Sequence, residues 1–340
     1  MPSRLDATAP GFEAAFRGLV EARREERADV REAVAAILAD VAAEGDAALL
    51  RYTERFDRLT LTPDRLRVSP EEIAAAKARC PAAQLEALGL AAERIRAFHA
   101  RQVPEDVRYE DAAGVGLGLR WRPLDAVGLY VPGGTAAYPS SVLMNAIPAK
   151  VAGVRRIVVV APTPGGEGSP LVLAAADLAG VDEVYRVGGA QAVAALAFGT
   201  ASIDRVDKVV GPGNAYVAEA KRQVFGRVGI DMIAGPSEVV IVAEEGSAPA
   251  GWLAADLLAQ AEHDTRAQSI LITDDAPFAD AVAAALEAQL ARLERAEIAR
   301  ESWRQLGAIV TVPRLADAAD LVDALAPEHL QLVVPGAEAL

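Results

Sequence analysis

Apolar residues fall into two textures along the chain. Up to about residue 105 they recur at helical spacing. Across Arg31 to Phe56, the positions Val34, Ile37, Leu38, Val41, Ala48, Leu49 and Tyr52 keep to one helical stripe, and Gly45-Asp46 interrupts it. Ser69-Pro70-Glu71-Glu72 reads as a helix start, with Ser as N-cap, proline at the first helical position and acids in the first turn. A further helix over Ala91 to Gln102 carries His99, expected as a partly buried helix residue. From Ala126 onward, short continuous apolar runs alternate with alanine-rich helices. The runs are Val127–Val131, Ile157–Ala161, Val184–Val187, Val206–Val210, Ile230–Ile233, Val239–Ala243, Ile270–Ile272, Ala308–Val312 and Leu332–Val334. Runs of this kind, bounded by Gly and Pro with helices between, predict strands of a largely parallel sheet. The fold class is α/β, with ligands expected at the carboxyl ends of strands.

Composition narrows the picture. A chain of 340 residues is long for one core and predicts two or more domains. With 52% apolar but only 5% aromatic residues, the core must be built mainly from Ala, Val, Leu and Ile. The net charge of −14 argues against a surface that tracks nucleic-acid phosphates, so no nucleic-acid partner is expected. A single cysteine, Cys80, allows no intramolecular disulfide and fits a reducing, cytoplasmic setting. No apolar stretch approaches bilayer-spanning length, so no membrane partner is expected either.

Four glycine-bearing loops each follow an apolar run: Pro132-Gly133-Gly134, Gly188-Gly189, Gly211-Pro212-Gly213 and Gly235-Pro236. Glycine lets backbone approach a ligand closely, and four such loops predict one lined crevice. The G-x-G-x-x-G dinucleotide fingerprint is absent. Gln191 falls in the first turn of the helix after Gly188-Gly189, and Asn214 just before the helix Ala215 to Phe225. Gln260 and His263 stand three apart near the end of a helix from Trp252 to about Asp264, on one face, with Asp256 a turn earlier. That spacing is compatible with two metal ligands from one helix, but an amide is a poor zinc ligand by type, and by spacing alone a polar helix face ending in Asp264 is the simpler reading. Pro327-Glu328-His329-Leu330 sets a carboxylate beside an imidazole at the edge of the last apolar run. Imidazole is the group best matched to proton transfer near neutral pH.

Taken together, these segments resemble one family over nearly the whole chain. Tyr130-Val131-Pro132-Gly133-Gly134-Thr135, Gly188-Gly189-Ala190-Gln191-Ala192, Gly211-Pro212-Gly213-Asn214-Ala215-Tyr216-Val217, Gly235-Pro236-Ser237-Glu238, Gln260-Ala261-Glu262-His263 and Pro327-Glu328-His329-Leu330 are all similar to histidinol dehydrogenase. Gly45-Asp46-Ala47-Ala48-Leu49 and Phe56-Asp57 match the same family. The resemblance implies two Rossmann-like parallel-sheet domains behind a helical N-terminal region. In that arrangement residues 1–125 pack with 238–340 as one domain, and 126–237 form an inserted nucleotide-binding domain. It implies a homodimer that uses zinc and NAD to oxidise L-histidinol, a small-molecule substrate, to L-histidine. Tyr130, Gln191 and Asn214 would contact NAD. Ser237, Gln260, His263 and His329 would contact substrate, Gln260 and His263 would bind zinc, and Glu328 and His329 would carry the proton transfers.

The family draws two more zinc ligands, an aspartate and a histidine, from a further C-terminal segment. No Asp or His follows His329 here, so the expectation is a chain that lacks the family's last domain and an incomplete metal site. Two other functions fit the pattern. One is a dehydrogenase of the same family for another alcohol, such as a sulfonated diol; the other is a non-catalytic relative that binds a ligand.

Overall fold

The computed structural model describes residues 2–21, 30–133, 138–166, 168–233 and 237–339. The loop positions Gly134, Thr135, Gly235 and Pro236 fall outside them. Every apolar run named above contributes a strand, and the strands form two five-stranded parallel sheets. The strands are β1 (Ser3–Asp6), β2 (Val107–Glu110), β3 (Gly116–Leu119), β4 (Ala126–Tyr130), β5 (Arg156–Val160), β6 (Glu183–Tyr185), β7 (Lys208–Val210), β8 (Gly229–Ile230), β9 (Glu238–Ala243), β10 (Gln268–Thr273), β11 (Ala308–Thr311) and β12 (His329–Val333). One sheet runs β6-β5-β4-β7-β8, the other β1-β11-β10-β9-β12, and β2-β3 make an antiparallel hairpin. In the first sheet, and in the second after its edge strand β1 is set aside, the chain enters at an inner strand, builds outward on one side, then returns to the other. That reversal is the switch point of doubly wound folds, between β4 and β7 in one sheet and between β9 and β12 in the other.

The runs are uninterrupted because each sheet is buried on both faces. Alternate residues of β4 and β5 divide between two cores: Tyr130, Val158 and Val160 face one, Val127, Leu129, Ile157 and Val159 the other. The second sheet divides in the same way, with Val239, Ile241 and Leu271 on one side and Val240, Val242, Ile270 and Ile272 on the other.

By packing, the chain forms two compact units, Ala28–Ala234 and Met1–Arg27 with Gly235–Leu340. The sequence expectation grouped all of 1–125 with 238–340. Instead, Val34, Ile37, Leu38, Val41, Ala48 and Leu49 share a core with Val158, Val160 and Val193. Among the described residues of the N-terminal region, Phe16 and Leu19, with Phe12 and Val20 partly buried beside them, cover the second sheet. The stripe on helices Arg31–Glu44 and Asp46–Asp57 announced a buried face without naming its partner. The Ser69 expectation is met in full: its side chain accepts from Glu72 N while Glu72 reaches back to the Ser69 N–H, a capping box. His99 is half-buried on helix Ala82–His99, with Nδ1 2.7 Å from Gln102 Oε1. The hairpin and edge strand β1 were not foreseen.

The loop after β7 is drawn tightly against β4. Gly211 has φ +107°, and a Cβ there would stand 2.2 Å from the Tyr130 carbonyl oxygen. Its N–H donates to Asp231 Oδ2 at 2.7 Å, and its carbonyl accepts from Lys221 Nζ at 3.0 Å. Gly211→Ala must strain this backbone and push β4 and β7 apart. We expect a loss of about 1–3 kcal/mol, read by chemical denaturation; a stability equal to the parent's would show that the loop yields freely.

Candidate functional site

In the unit Ala28–Ala234, three of the expected residues stand at the carboxyl end of the sheet. Tyr130 ends β4 and is 4% exposed. Its hydroxyl oxygen accepts the Gly189 N–H at 3.0 Å. Burial pushes the hydroxyl's pKa up to about 12 and the charge of Asp57 adds to this, against the donation from Gly189, so Tyr130 keeps a proton to give. Gly189 opens helix Gly189–Phe198. Gln191, in its first turn, is 1% exposed, and neither amide atom has a hydrogen-bond partner among the described residues. Its Oε1 lies 2.6 Å from where a Cβ on Gly189 would stand, so the amide folds back over the helix start. Across the switch point, Asn214 caps helix Ala215–Val224, and its Oδ1 accepts from Val217 N at 3.2 Å. The cap uses the amide oxygen, so the amide NH2 is what a ligand could use.

A cavity of about 520 Å³ opens over the ends of β4, β5 and β6, lined by Pro132, Gly133, Pro162, Thr163, Ser169 and Arg186 among others. Three of the four glycine loops therefore line one edge, the edge expected for a ligand.

Sequence reasoning passed over Lys221. It is 2% exposed and paired with the Asp231 carboxylate, and it fastens the Gly211 loop from beneath. Its signal was available: Val217, Ala220, Lys221 and Val224 form the buried stripe of their helix, and a lysine within such a stripe needs a buried partner. Asp57 and Thr163 were also passed over as site residues. Both are buried, and each has one side-chain oxygen without a partner among the described residues.

The other five expected residues belong to the unit Met1–Arg27 with Gly235–Leu340. They lie at the amino ends of the strands, which corrects the expectation of carboxyl ends for this group. Ser237 precedes β9, His329 opens β12, and Gln260 sits at the last turn of helix Ala250–Ala261. The helix crosses back against the strands, so its C-terminal end meets the edge where the strands begin. Gln260 is 8% exposed, and its Nε2 donates to the Ser237 carbonyl at 3.0 Å. The Glu328 N–H donates to Glu238 Oε2 at 3.1 Å, and His329 stands in register beside Val239. Ala326, at φ +44°, ends helix Ala318–Leu325 in the left-handed region and turns the chain into Pro327-Glu328.

Glu328 Oε1 lies 3.8 Å from His329 Nε2, and both side chains are about half exposed or more, at 46% and 60%. An exposed pair can meet a substrate and exchange protons with water. His263 is exposed beyond the helix end, and its backbone carbonyl accepts from Arg295 at 3.3 Å. Asp256 does not join this group, because it accepts from Gln331 Nε2 at 2.8 Å.

Comparison with known proteins identifies the family. The family model described as histidinol dehydrogenase matches residues 20–340. A histidinol dehydrogenase from Cereibacter sphaeroides is 61% identical over 340 residues, all of this chain and 78% of that protein. One from Gluconobacter oxydans is 60% identical over 331 residues, 97% of this chain and 77% of its own length. The crystal structure of histidinol dehydrogenase from Elizabethkingia anophelis superposes with a TM-score of 0.93 at 35% identity, covering 99% of this chain and 77% of that one. On identity, coverage and fold together, the chain belongs to the histidinol dehydrogenase family.

Proposed function

We propose that the chain oxidises L-histidinol to L-histidine through the aldehyde, reducing two molecules of NAD. The observation that carries the coenzyme part is the buried, unpartnered amide of Gln191 beside the Tyr130 hydroxyl, at the carboxyl-end switch point of a parallel sheet. An amide with both atoms unsatisfied costs free energy that a ligand offering a donor and an acceptor recovers. The names of the relatives, at about 60% identity over the whole chain, carry the substrate. The residues fit NAD, which when bound supplies the hydride acceptor. Tyr130, Gln191 and Asn214 contact it.

The protein's own part is proton handling. As hydride leaves the alcohol carbon, the hydroxyl proton must go to a base, and the His329 imidazole takes it. The aldehyde must be hydrated before a second hydride can leave, and the Glu328 carboxylate takes a proton from the attacking water. Adjacent groups run both oxidations without releasing a reactive aldehyde. Ser237, Gln260 and His263 hold and orient the substrate.

Zinc fits the described residues less well. Gln260 commits its Nε2 to Ser237, which leaves one amide oxygen and the His263 imidazole as donors. Among the described residues no three of His, Cys, Asp and Glu are grouped to hold a metal. Protein zinc sites use three or four ligands, so no proton transfer is routed through a metal here. The setting we propose is cytoplasmic, consistent with the single cysteine; among the described residues, no helix is long and apolar enough to cross a membrane.

The assembly we propose is a homodimer. Its support is the β2-β3 hairpin, where Val107, Tyr109, Leu117, Leu119 and Trp121 are all exposed, an apolar surface that a second copy would cover.

Three measurements test this reading. His329→Asn should lower kcat by about 10²–10⁴-fold with little change in KM; near-normal turnover with only a raised KM would make His329 a binding residue. Residues 1–340 should hold zinc weakly, and metal analysis that finds tight, stoichiometric zinc lost in His263→Ala would reveal ligands beyond the two named. The double variant Leu119→Asp, Trp121→Glu should shift the chain from dimer to monomer in light scattering, and a parent chain that is already monomeric refutes the assembly.

A further inference from the structure

Every buried side-chain polar atom without a partner among the described residues belongs to Asp57, Thr163 or Gln191. Folded proteins leave few such atoms, so their confinement to three residues calls for a cause. Asp57 comes from a helix far from the other two in sequence, yet packing brings it to them. Helix Asp46–Asp57 runs antiparallel to helix Gly189–Phe198. At one end, the Asp46 carboxylate accepts from Ser202 Oγ at 2.7 Å and from Ser202 N at 3.3 Å, just past the second helix's C-terminus. Between the ends, Leu49 and Tyr52 share a core with Ala190, Val193 and Leu196. The helices have 12 and 10 residues, about 18 and 15 Å, so Asp57 reaches the start of the second, where Gly189 and Gln191 stand. Two residues on, the Leu59 side chain lies 3.4 Å from a Cβ position on Gly166, in the turn that follows Thr163.

Asp57 is 9% exposed and its Oδ2 has no donor among the described residues. Burial alone holds its carboxyl above the usual carboxylate range, and its charge is felt at the Tyr130 hydroxyl. A carboxylate offers only acceptors, so the group that completes it must bring donors.

We propose that Asp57 is a coenzyme-binding residue whose carboxylate accepts the hydroxyl hydrogens of a ribose of the bound dinucleotide, beside Gln191 and Tyr130. This rests on the coenzyme reading above and adds a residue to it. A ribose diol brings two donors to the two oxygens of one carboxylate. The acid comes from a helix that packs over the sheet, not from a strand end.

The test uses the 340-residue parent with Asp57→Asn and Asp57→Ala, NAD binding by calorimetry and Tm without coenzyme. We expect NAD affinity to fall by about tenfold or more in both variants. Tm without coenzyme should stay level or rise, because the unpaired buried carboxylate is gone. NAD affinity within about twofold of the parent in both variants overturns the assignment. So does a loss of affinity that comes with a lowered coenzyme-free Tm in both, the mark of a carboxylate that holds the fold. A parent that binds no NAD is a separate result: it refutes the coenzyme reading itself and this assignment with it.

Discussion

A parallel sheet must be covered on both faces, and the rest of this structure follows from that constraint. Parallel strands cannot be joined by tight turns, so each connection carries a helix across one face. Two sheets with two faces each make the four cores of the chain. Once the faces are sealed, the central strands themselves reach solvent only at their ends and in the loops that leave them. Every candidate residue stands at such an end: Tyr130, Gln191 and Asn214 where strands end, Ser237 and His329 where strands begin.

The sheets were legible because burial on both faces leaves continuous apolar runs such as Ile157–Ala161 and Val239–Ala243, which amphipathic strands lack. The structure also shows what that signal omits. β1, Ser3-Arg4-Leu5-Asp6, is an edge strand held by pairing with β11, with little buried apolar surface to announce it. The hairpin strands are exposed on both faces and leave no core-facing alternation. The helical stripes of 31–57 fixed which faces are buried but not which sheet receives them, because periodicity is a local property and docking is not.

The site was legible in part. Glycine after an apolar run located the carboxyl-end loops, and Gly211 shows why glycine is required there, with Tyr130 backbone at the distance a side chain would occupy. Glu328-His329 stood out as a chemical pair, but a pair at the start of a strand looks the same in sequence as one at the end of a helix. Lys221 and Asp57 are charges that only tertiary packing buries, so their partners, or lack of them, could not be read from neighbours in the chain.

The direction of the helices gives the two groups of residues opposite electrostatic characters. Gly189 and Asn214 stand at helix amino termini, where unpaired N–H groups sum to a partial positive charge. Gln260 and the His263 that follows stand at a helix carboxyl terminus, where unpaired carbonyls sum to a partial negative one. The first edge is therefore predisposed to a diphosphate-like anion and the second to an ammonium- or imidazolium-like cation. Neither preference needs a charged side chain, so both belong to the winding of the chain and would survive wide substitution of the residues around them.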